Sequence, residues 1–403
     1  MNSPPSGTAL ALALPHGSVR WAPGERVSIR TLAGHEARAG DGVGADLVGL
    51  LAGAALPEAA RVTVDAPLPP VTGTERGFGA EVDMTNWNLI VDDAVIVKVV
   101  GRLGDGDRAV RLGRAIARHV PDALPRLHGT IELDTDHGAR VVATVHEYLD
   151  GSSDGWTWAV DDALHALGAG TRSRWPAALG DLIARVHRAL HQETAAHSAA
   201  MTRSDDDALI DDAELLDTVE GAASRRLRAR WASITAAISR TPAAHSPRFA
   251  IHGDLHVGQV LRDRSGALRL IDFDGDPQGG LDPDSADAAI DVAHLLVSID
   301  LVGAIVAKRW GADDSRIIDW CDASRADLLA AYRARDRDSP AAALLDESRL
   351  PGLEAQQLLR EVRYAQRFLP RWSYASDWAI TRRFAPDTDL EDPPWTPPDS
   401  STT

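Results

Sequence analysis

The feature that most constrains the fold is a change in hydrophobic periodicity near Gly151. Before it, short apolar runs alternate with turn residues, and the runs 87–91 and 94–100, joined by an Asp-Asp turn, predict a β hairpin. After it, apolar residues recur at helical spacing, except in a strand-rich island over 249–273. This order predicts an α+β fold in which a β-rich lobe precedes a mostly helical lobe.

The same patterns predict the individual elements and the domain boundaries. Strands are predicted over 18–21, 26–31, 61–65, 130–133 and 140–149, and helices over 45–56, 107–119, 179–190, 211–235, 286–302, 314–333 and 353–368. A proline-bearing stretch over 67–70 suggests a domain boundary. The predicted domains are an N-terminal cap over 1–70, a β-rich lobe over 71–150, a helical lobe over 151–385 and a disordered tail over 386–403, which holds five prolines and several acids.

Charge and cysteine content narrow the possible partners. The chain carries 59 acidic and 42 basic side chains, a formal net charge of −17, so its field repels nucleic acids and anionic membranes. Cys321 is the single cysteine and cannot form an intramolecular disulfide, which fits a reducing compartment. The apolar run over 8–15 is interrupted and too short for a signal sequence or a membrane span. We therefore expect a cytoplasmic protein, while these features leave open whether it is a monomer or a homodimer.

Two apolar segments end in polar residues that suit phosphoryl transfer. Residues 251–261 read Ile-His-Gly-Asp-Leu-His-Val-Gly-Gln-Val-Leu, and residues 270–274 read Leu-Ile-Asp-Phe-Asp. This reaction needs a carboxylate near the attacking hydroxyl and oxygen ligands that hold Mg²⁺ against the phosphates of ATP. Asp254 would orient and deprotonate the acceptor, while Gln259 and Asp272 would bind Mg²⁺. The sequence therefore predicts an ATP- and Mg²⁺-dependent kinase.

The combined pattern resembles the catalytic loop and metal-binding triplet of the aminoglycoside-phosphotransferase branch of the kinase-like fold. That branch usually has Asn where Gln259 stands, and Gln within His-Gly-Asp-Leu-His-x-Gly-Gln is typical of maltokinase-like proteins. The resemblance extends over residues 80–380. It implies a protein-kinase-like two-lobe fold with an N-terminal cap.

Simpler interpretations of these residues stay open. Asp254 and Asp272 could merely cap the turns of a β hairpin. His252 and His256 are four positions apart and could suggest zinc, but no third ligand stands in a recognisable setting. We expect His252 to brace the loop by hydrogen bonding instead.

Lys98 is conspicuous because the chain contains two lysines, Lys98 and Lys308, among its 42 basic residues. It lies within an apolar strand, where a buried ammonium is unfavourable unless anions surround it. In the kinase-like fold a strand lysine binds the α- and β-phosphates, and Lys98 matches that position. The alternative is an edge-strand lysine that points to water. Its carboxylate partner is open, with Asp107 of the following helix as one candidate.

Two further segments resemble nucleotide-binding parts of that fold. Residues 83–88 are similar to a polar turn of maltokinase-like proteins, where Thr85 and Asn88 would cover the phosphates, although a plain turn is equally consistent. Residues 145–151 fall where the lobes should join. By resemblance, backbone groups of Glu147 and Leu149 would bind adenine there.

The acceptor site is expected in the helical lobe. Sugars are held by aromatic faces together with carboxylates and amides. Glu361 and Tyr364 share one face of a predicted helix. The full set of candidates is Asp291, His294, Arg360, Glu361, Tyr364 and Trp372, beside Asp254.

The string Arg-Glu-Val-Arg-Tyr-Ala over 360–365 resembles the glucosamine-kinase subgroup of actinobacterial maltokinase-like proteins. This resemblance implies glucosamine as the acceptor, phosphorylated at O6, with Glu361 pairing with its ammonium. The alternatives are maltose phosphorylated at its anomeric hydroxyl, an aminoglycoside, and a nucleotide-binding regulator that has lost catalysis. The string could also be the solvated face of an amphipathic helix.

Overall fold

The computed structural model describes residues 9–22, 25–57, 59–78, 86–103, 105–136, 138–197, 214–275, 282, 284–310, 315–337 and 343–397. The chain divides into two compact units. The first comprises Met1–Ser152 with Asp263–Asp274, and the second comprises Ser153–Arg262 with Gly275–Thr403.

The strands of the described residues are short and cluster in the first unit. They are β1 (Leu10–Leu14), β2 (Gly17–Trp21), β3 (Ser28–Thr31), β4 (Ala60–Val64), β5 (Glu75–Arg76), β6 (Trp87–Val91), β7 (Val95–Val99), β8 (Leu127–Thr135), β9 (Gly138–Glu147), β10 (Arg248–Phe249), β11 (Val260–Arg262), β12 (Leu268–Leu270) and β13 (Ala286–Asp287).

The helices cluster in the second unit. They are α1 (Val43–Leu51), α2 (Asp105–His119), α3 (Gly155–Ala169), α4 (Trp175–His197), α5 (Leu215–Thr218), α6 (Gly221–Ser239), α7 (Ala288–Trp310), α8 (Ser315–Arg337), α9 (Leu350–Phe368) and α10 (Ser373–Arg383). Short 3-10 helices occur at Val257–Gln259, Glu347–Arg349 and Pro370–Trp372.

A six-stranded antiparallel sheet, in the order β4-β8-β9-β7-β6-β5, forms the centre of the first unit as described. The predicted hairpin is confirmed as β6 and β7, with Asn88 opposite Lys98. On its other side Lys98 lies opposite Thr144 of β9. Because β7 is an inner strand, the edge-strand interpretation of Lys98 is wrong.

The predicted cap and the β-rich lobe share one hydrophobic core. Strands β1–β3 form a separate antiparallel sheet, and Leu12 and Leu47 of the cap belong to the same buried cluster as Val97 and Ile131 of the large sheet. A three-stranded sheet with one apolar face needs another layer to cover it. The structure therefore joins the predicted domains 1–70 and 71–150 in one unit.

Helix α7 forms the core of the second unit. It packs against α3, α8, α9 and α10. Among the described residues it is the one helix long and apolar enough to cross a membrane, and the whole of its apolar window is buried inside the protein. Its all-round hydrophobicity is therefore that of a central core helix.

The tail differs from the prediction of disorder over 386–403. Residues 386–397 lie along α6, where Arg230 donates to Asp392 at 2.9 Å and Arg226 donates to the Pro394 carbonyl at 3.1 Å. The Asp387 N–H also donates to the Ala229 carbonyl at 2.7 Å. Proline-rich composition suggested disorder, but buried arginines far away in sequence supply its partners. Residues 398–403 lie outside the described residues.

Candidate active site

Within the first unit, Lys98 is held by two carboxylates. Its Nζ donates to Asp272 Oδ1 at 3.0 Å and to Asp274 Oδ2 at 2.7 Å. Burial alone would lower the pKa of Lys98, but the two carboxylates outweigh it and raise that pKa, so the ammonium stays charged. Asp107, the candidate partner from the sequence, instead accepts from Arg140 at 2.8 Å. The partners of Lys98 are therefore the acids of the Ile-Asp-Phe-Asp string.

The segment that carries these acids is fixed at both ends. The Leu270 N–H donates to the Ala123 carbonyl at 2.7 Å, and the Phe273 carbonyl accepts from Arg108 of α2. Asp272 has a φ of 65°, a left-handed conformation that is uncommon for a residue with a side chain and occurs often at functional sites. The surrounding structure thus holds Asp272 in an uncommon backbone conformation rather than in that of an ordinary turn.

Asn86, which the sequence analysis did not select, completes this cluster. Its Nδ2 donates to Asp274 Oδ2 at 3.3 Å, and its Oδ1 accepts from the Gly101 N–H at 2.8 Å. The Asn88 amide donates to the Asn86 carbonyl at 3.4 Å, next to Lys98 in register. Thr85 lies outside the described residues. The available signal for Asn86 was its place at the end of the polar turn before β6.

The donor set of this cluster fits a hard cation. Asp274 Oδ1 is buried and has no hydrogen-bond partner within the described part of the chain, while the Asp272 side chain is 42% exposed. Burial raises the pKa of Asp274, which the Lys98 charge opposes. Mg²⁺ commonly takes one or two protein carboxylates and completes its shell with water and phosphate oxygens. Asp272 is therefore a suitable ligand.

The backbone around Glu147 and Leu149 continues from the end of β9. Tyr148 donates its N–H to the Ala94 carbonyl at 3.0 Å, and the Leu149 carbonyl accepts from Ser152 at 3.0 Å. The Glu147 carboxylate accepts from the N–H of Arg126, the residue before β8, at 3.2 Å. Adenine binding by backbone groups at these positions stays a prediction.

Within the second unit, the loop that carries Asp254 is braced by its two histidines. His252 Nδ1 accepts from the Asp254 N–H at 3.3 Å, as the sequence analysis expected. His256 Nδ1 accepts from the Gly258 N–H at 3.1 Å. Both rings thus use a nitrogen to hold the backbone, and no group of three His, Cys, Asp or Glu residues in the described ranges could hold a metal ion. The zinc interpretation gains no support.

The short 3-10 helix Val257–Gln259 fixes the backbone of Gln259. The Val257 N–H donates to Ser298 Oγ of α7 at 3.2 Å. Gly155 of α3 lies so close that a Cβ there would meet the Val257 carbonyl at 1.8 Å, which leaves room for glycine alone. The His256 ring also stacks on Trp156, with ring centroids 5.6 Å apart. Gln259 is therefore held from α3 and α7.

Asp291 holds the backbone of the loop that carries Asp254. It is fully buried, and its carboxylate accepts from the His252 N–H at 2.8 Å, the Gly253 N–H at 2.9 Å and His187 at 3.1 Å. Burial would raise its pKa, but these hydrogen bonds and the nearby His187 lower the pKa of Asp291 to about 2. Both carboxylate oxygens of Asp291 accept from the loop backbone. Asp291 therefore positions the loop, in place of the predicted contact with the acceptor.

His294 lies one turn further along α7 and is 8% exposed. Burial lowers the pKa of His294 to about 3, against the opposing charge of Asp291, so its imidazole is neutral at ordinary pH. Its Nδ1 is buried and has no hydrogen-bond partner among the residues that the structure describes. A direct contact of His294 with the acceptor stays a prediction.

Helix α9 presents Arg360, Glu361 and Tyr364. Glu361 Oε1 accepts from Gln357 Nε2 at 2.8 Å, a partner that the sequence analysis missed although it stands one turn earlier on the same face. Burial raises the pKa of Glu361, which Gln357 and Arg360 oppose. The Tyr364 and Phe368 rings lie 5.1 Å apart.

Trp372 belongs to a row of aromatic rings that begins at His256, two residues after Asp254. The centroid of Trp156 lies 6.0 Å from Trp372, and Trp372 stacks on Tyr374 at 6.4 Å. His256 stacks on the other side of Trp156. The structure thus links Trp372 to the loop that carries Asp254 through Trp156, a residue outside the predicted site set.

The chain is similar to known phosphotransferases. A model of the APH phosphotransferase enzyme family matches residues 85–345. A glucosamine kinase of Streptacidiphilus jiangxiensis is 37% identical over 367 residues, which cover 85% of this chain and 81% of the relative. A glucosamine kinase of Mycolicibacterium smegmatis is 34% identical over 313 residues, with 74% and 77% covered.

Solved structures show the same fold. A glucosamine kinase in complex with glucosamine, ADP and inorganic phosphate matches with a TM-score of 0.72 and 31% identity, covering 94% of both chains. A second crystal form of a glucosamine kinase matches with a TM-score of 0.71, also at 31% identity, covering 92% of this chain and 94% of the other. The predicted protein-kinase-like fold, with a sheet-rich N-terminal lobe and a helical C-terminal lobe, is confirmed. The chain belongs to the APH phosphotransferase enzyme family.

Proposed function

We propose that this chain is a glucosamine kinase that transfers the γ-phosphate of ATP to O6 of glucosamine. The observation that supports phosphoryl transfer most strongly is Lys98, a partly buried ammonium held by Asp272 and Asp274. The two relatives named glucosamine kinase support the acceptor. The sheet-rich lobe would bind the nucleotide, through Lys98 at the phosphates, Thr85 and Asn88 beside them, and the backbone of Glu147 and Leu149 at adenine.

Catalysis in this proposal is positioning combined with electrostatic stabilisation. Asp254 accepts a hydrogen bond from the acceptor hydroxyl and takes its proton as the phosphoryl group arrives. Gln259 and Asp272 are the proposed Mg²⁺ ligands, an assignment that rests on the spacing of the two sequence strings. When bound, the ion neutralises the charge of the β- and γ-phosphates.

The acceptor is proposed to lie against α7 and α9 of the second unit. Glu361, a carboxylate oriented by Gln357, would pair with the ammonium of glucosamine. Trp372 would offer an aromatic face to the sugar C–H groups. Contacts of Arg360, Tyr364 and His294 with the sugar hydroxyls are part of the same proposal.

The remaining assignments concern partners, location and oligomeric state. The substrates are two small molecules, ATP and a sugar, and the net charge of −17 disfavours nucleic acids and anionic membranes as partners. We propose a cytoplasmic location and a monomer or homodimer.

Acceptor-dependent ADP release tests this function directly. The purified chain is assayed with ATP and Mg²⁺ and, in turn, glucosamine, glucose, maltose, an aminoglycoside or no acceptor. Turnover with glucosamine well above that with glucose supports the proposal, since the two sugars differ at the amino group. Preference for maltose or for an aminoglycoside replaces the proposed acceptor, and nucleotide binding without any turnover identifies a non-catalytic regulator.

A further inference from the structure

Three buried polar side chains form a hydrogen-bonded series behind the loop that carries Asp254. The Tyr332 hydroxyl of α8 lies 2.8 Å from His187 Nδ1 of α4, and His187 Nε2 lies 3.1 Å from Asp291 Oδ2 of α7. Their relative exposures are 0%, 1% and 0%. Burying polar groups this deeply is unfavourable unless each finds a hydrogen-bond partner, so the presence of three of them here needs a specific explanation.

The partners fix where the protons lie. Asp291 is ionised and can only accept, so His187 Nε2 carries a hydrogen and donates to it. The other ring nitrogen, Nδ1, faces the Tyr332 hydroxyl. Burial raises the pKa of Tyr332, so its hydroxyl keeps its proton and can donate to Nδ1. Each donor in this series of three side chains thus meets one acceptor.

The Asp291 end of this hydrogen-bonded series contacts the backbone of the loop that carries Asp254. Asp291 accepts from the N–H groups of His252 and Gly253, the two residues immediately before Asp254. Gly253 has a φ of 88°, which a residue with a side chain adopts only with strain. The orientation of one carboxylate therefore sets the direction in which the backbone enters Asp254.

We propose that Tyr332 and His187 are positioning residues for phosphoryl transfer, which hold the Asp291 carboxylate in the orientation that aims Asp254 at the acceptor hydroxyl. Neither residue touches the reacting atoms. The proposal rests on the proposed function only in requiring that Asp254 acts on an acceptor. A misplacement of about 1 Å at a catalytic group can lower kcat by on the order of 100-fold, so loss of this support should be visible in kcat.

Steady-state kinetics of Tyr332→Phe provide the test. This change removes one hydroxyl and keeps the ring that packs against His187. We expect kcat to fall by about 10-fold or more, while KM for ATP and for the acceptor stays within about 2-fold. His187→Leu should lower kcat further. His187→Gln should restore most of it, because an amide can donate to Asp291 and accept from Tyr332.

Trp320→Phe is the matched control. Trp320 also lies on α8 and also makes one buried side-chain hydrogen bond, to Ser173 Oγ at 2.9 Å, with no hydrogen bond to Asp291. Trp320→Phe should lower the thermal unfolding temperature at least as much as Tyr332→Phe does, because it also removes buried ring volume, while kcat stays unchanged. If His187→Leu fails to fold, the comparison of Tyr332→Phe with Trp320→Phe decides.

Equal kcat values in these two variants, or a kcat of Tyr332→Phe within about 2-fold of the parent chain, would overturn the proposal. If the parent chain prefers another acceptor of the panel, the variants are measured with that acceptor. The inference then stands or falls independently of glucosamine. A parent chain without turnover on any acceptor overturns the proposed function and this inference together.

Discussion

Lys98 Nζ lies 2.7 Å from Asp274 Oδ2, although the two residues are 176 positions apart in sequence. The second bond, to Asp272, spans 174 positions. An inner strand of the sheet and the segment after β12 therefore meet through one ammonium and two carboxylates, the charged groups that the proposed nucleotide site uses.

Replacement of Lys98 by methionine tests this cluster. Removing one preorganised charge from such a site lowers kcat by about 100-fold or more, and KM for ATP should rise as well. The matched control is Arg61→Met, because Arg61 pairs with Asp134 at 2.9 Å where both side chains are largely exposed. The control should keep kcat, since exposed pairs contribute little. Equal loss in both variants would contradict the assignment.

Variants of His256 test how Gln259 is held. His256 Nδ1 accepts from the Gly258 N–H at the start of the 3-10 helix that carries Gln259. Loss of such a cap costs about 1 kcal/mol, so His256→Ala should raise the Mg²⁺ concentration for half-maximal rate by about 5-fold. His256→Asn loses the ring but keeps a capping oxygen. If Asn shifts the Mg²⁺ dependence as much as Ala does, the capping explanation is wrong.

Glu361→Gln tests the ammonium contact. A hydrogen bond to a charged group contributes about 1.5–3 kcal/mol, so KM for glucosamine should rise by about 10-fold or more. The rate with a neutral sugar such as glucose should change little. A variant that loses affinity equally for both sugars shows that Glu361 does not recognise the amino group.

The pH dependence of glucosamine affinity follows from the same carboxyl. Burial raises the pKa of Glu361, so its charge disappears at a higher pH than for an ordinary glutamate as the solution is acidified. KM for glucosamine should therefore be high below that pKa and fall as pH rises through it, until the substrate ammonium itself deprotonates. Glu361→Gln should remove this acidic limb of the KM profile.

Two arginines of α6 test the ordered tail. Arg230 is 4% exposed and binds Asp392, whereas Arg225 pairs with Glu391 at 3.2 Å on the surface. Removing a buried, hydrogen-bonded partner costs about 1–3 kcal/mol, so Arg230→Met should lower the free energy of unfolding by that amount. Arg225→Met should change it by less than about 0.5 kcal/mol. Similar stability of both variants, measured by denaturant unfolding, would mean that the tail does not hold to α6.

Local patterns were sufficient for most elements of the fold. The hairpin β6–β7 and the helices α2 and α7 follow from short-range alternation and helical spacing, which depend on neighbours in sequence. The helix predicted over 211–235 is broken instead into α5 and α6, where Gly221 takes a φ of 65°. Residues 211–213 lie outside the described residues.

Long-range partners could not be predicted in the same way. The contacts of Lys98 with the acids after β12 leave no periodic signal, and neither does the tail held by Arg230. The sequence makes Asp291 a candidate acceptor-binding residue, but it does not show that backbone N–H groups occupy the carboxylate oxygens of Asp291. The sequence therefore shows which side chains are chemically suitable for the site. Which partners those side chains have depends on the packing of segments far apart in sequence.

Product analysis of a complete reaction tests the central claim most directly. The chain is incubated with ATP, Mg²⁺ and glucosamine, and the product is examined by phosphorus NMR with proton coupling. We expect one new phosphomonoester, coupled to the two C6 protons of the sugar, and none with Asp254→Ala, which should still bind ATP. A phosphate on the anomeric carbon, or unchanged glucosamine with ATP intact, would contradict the account.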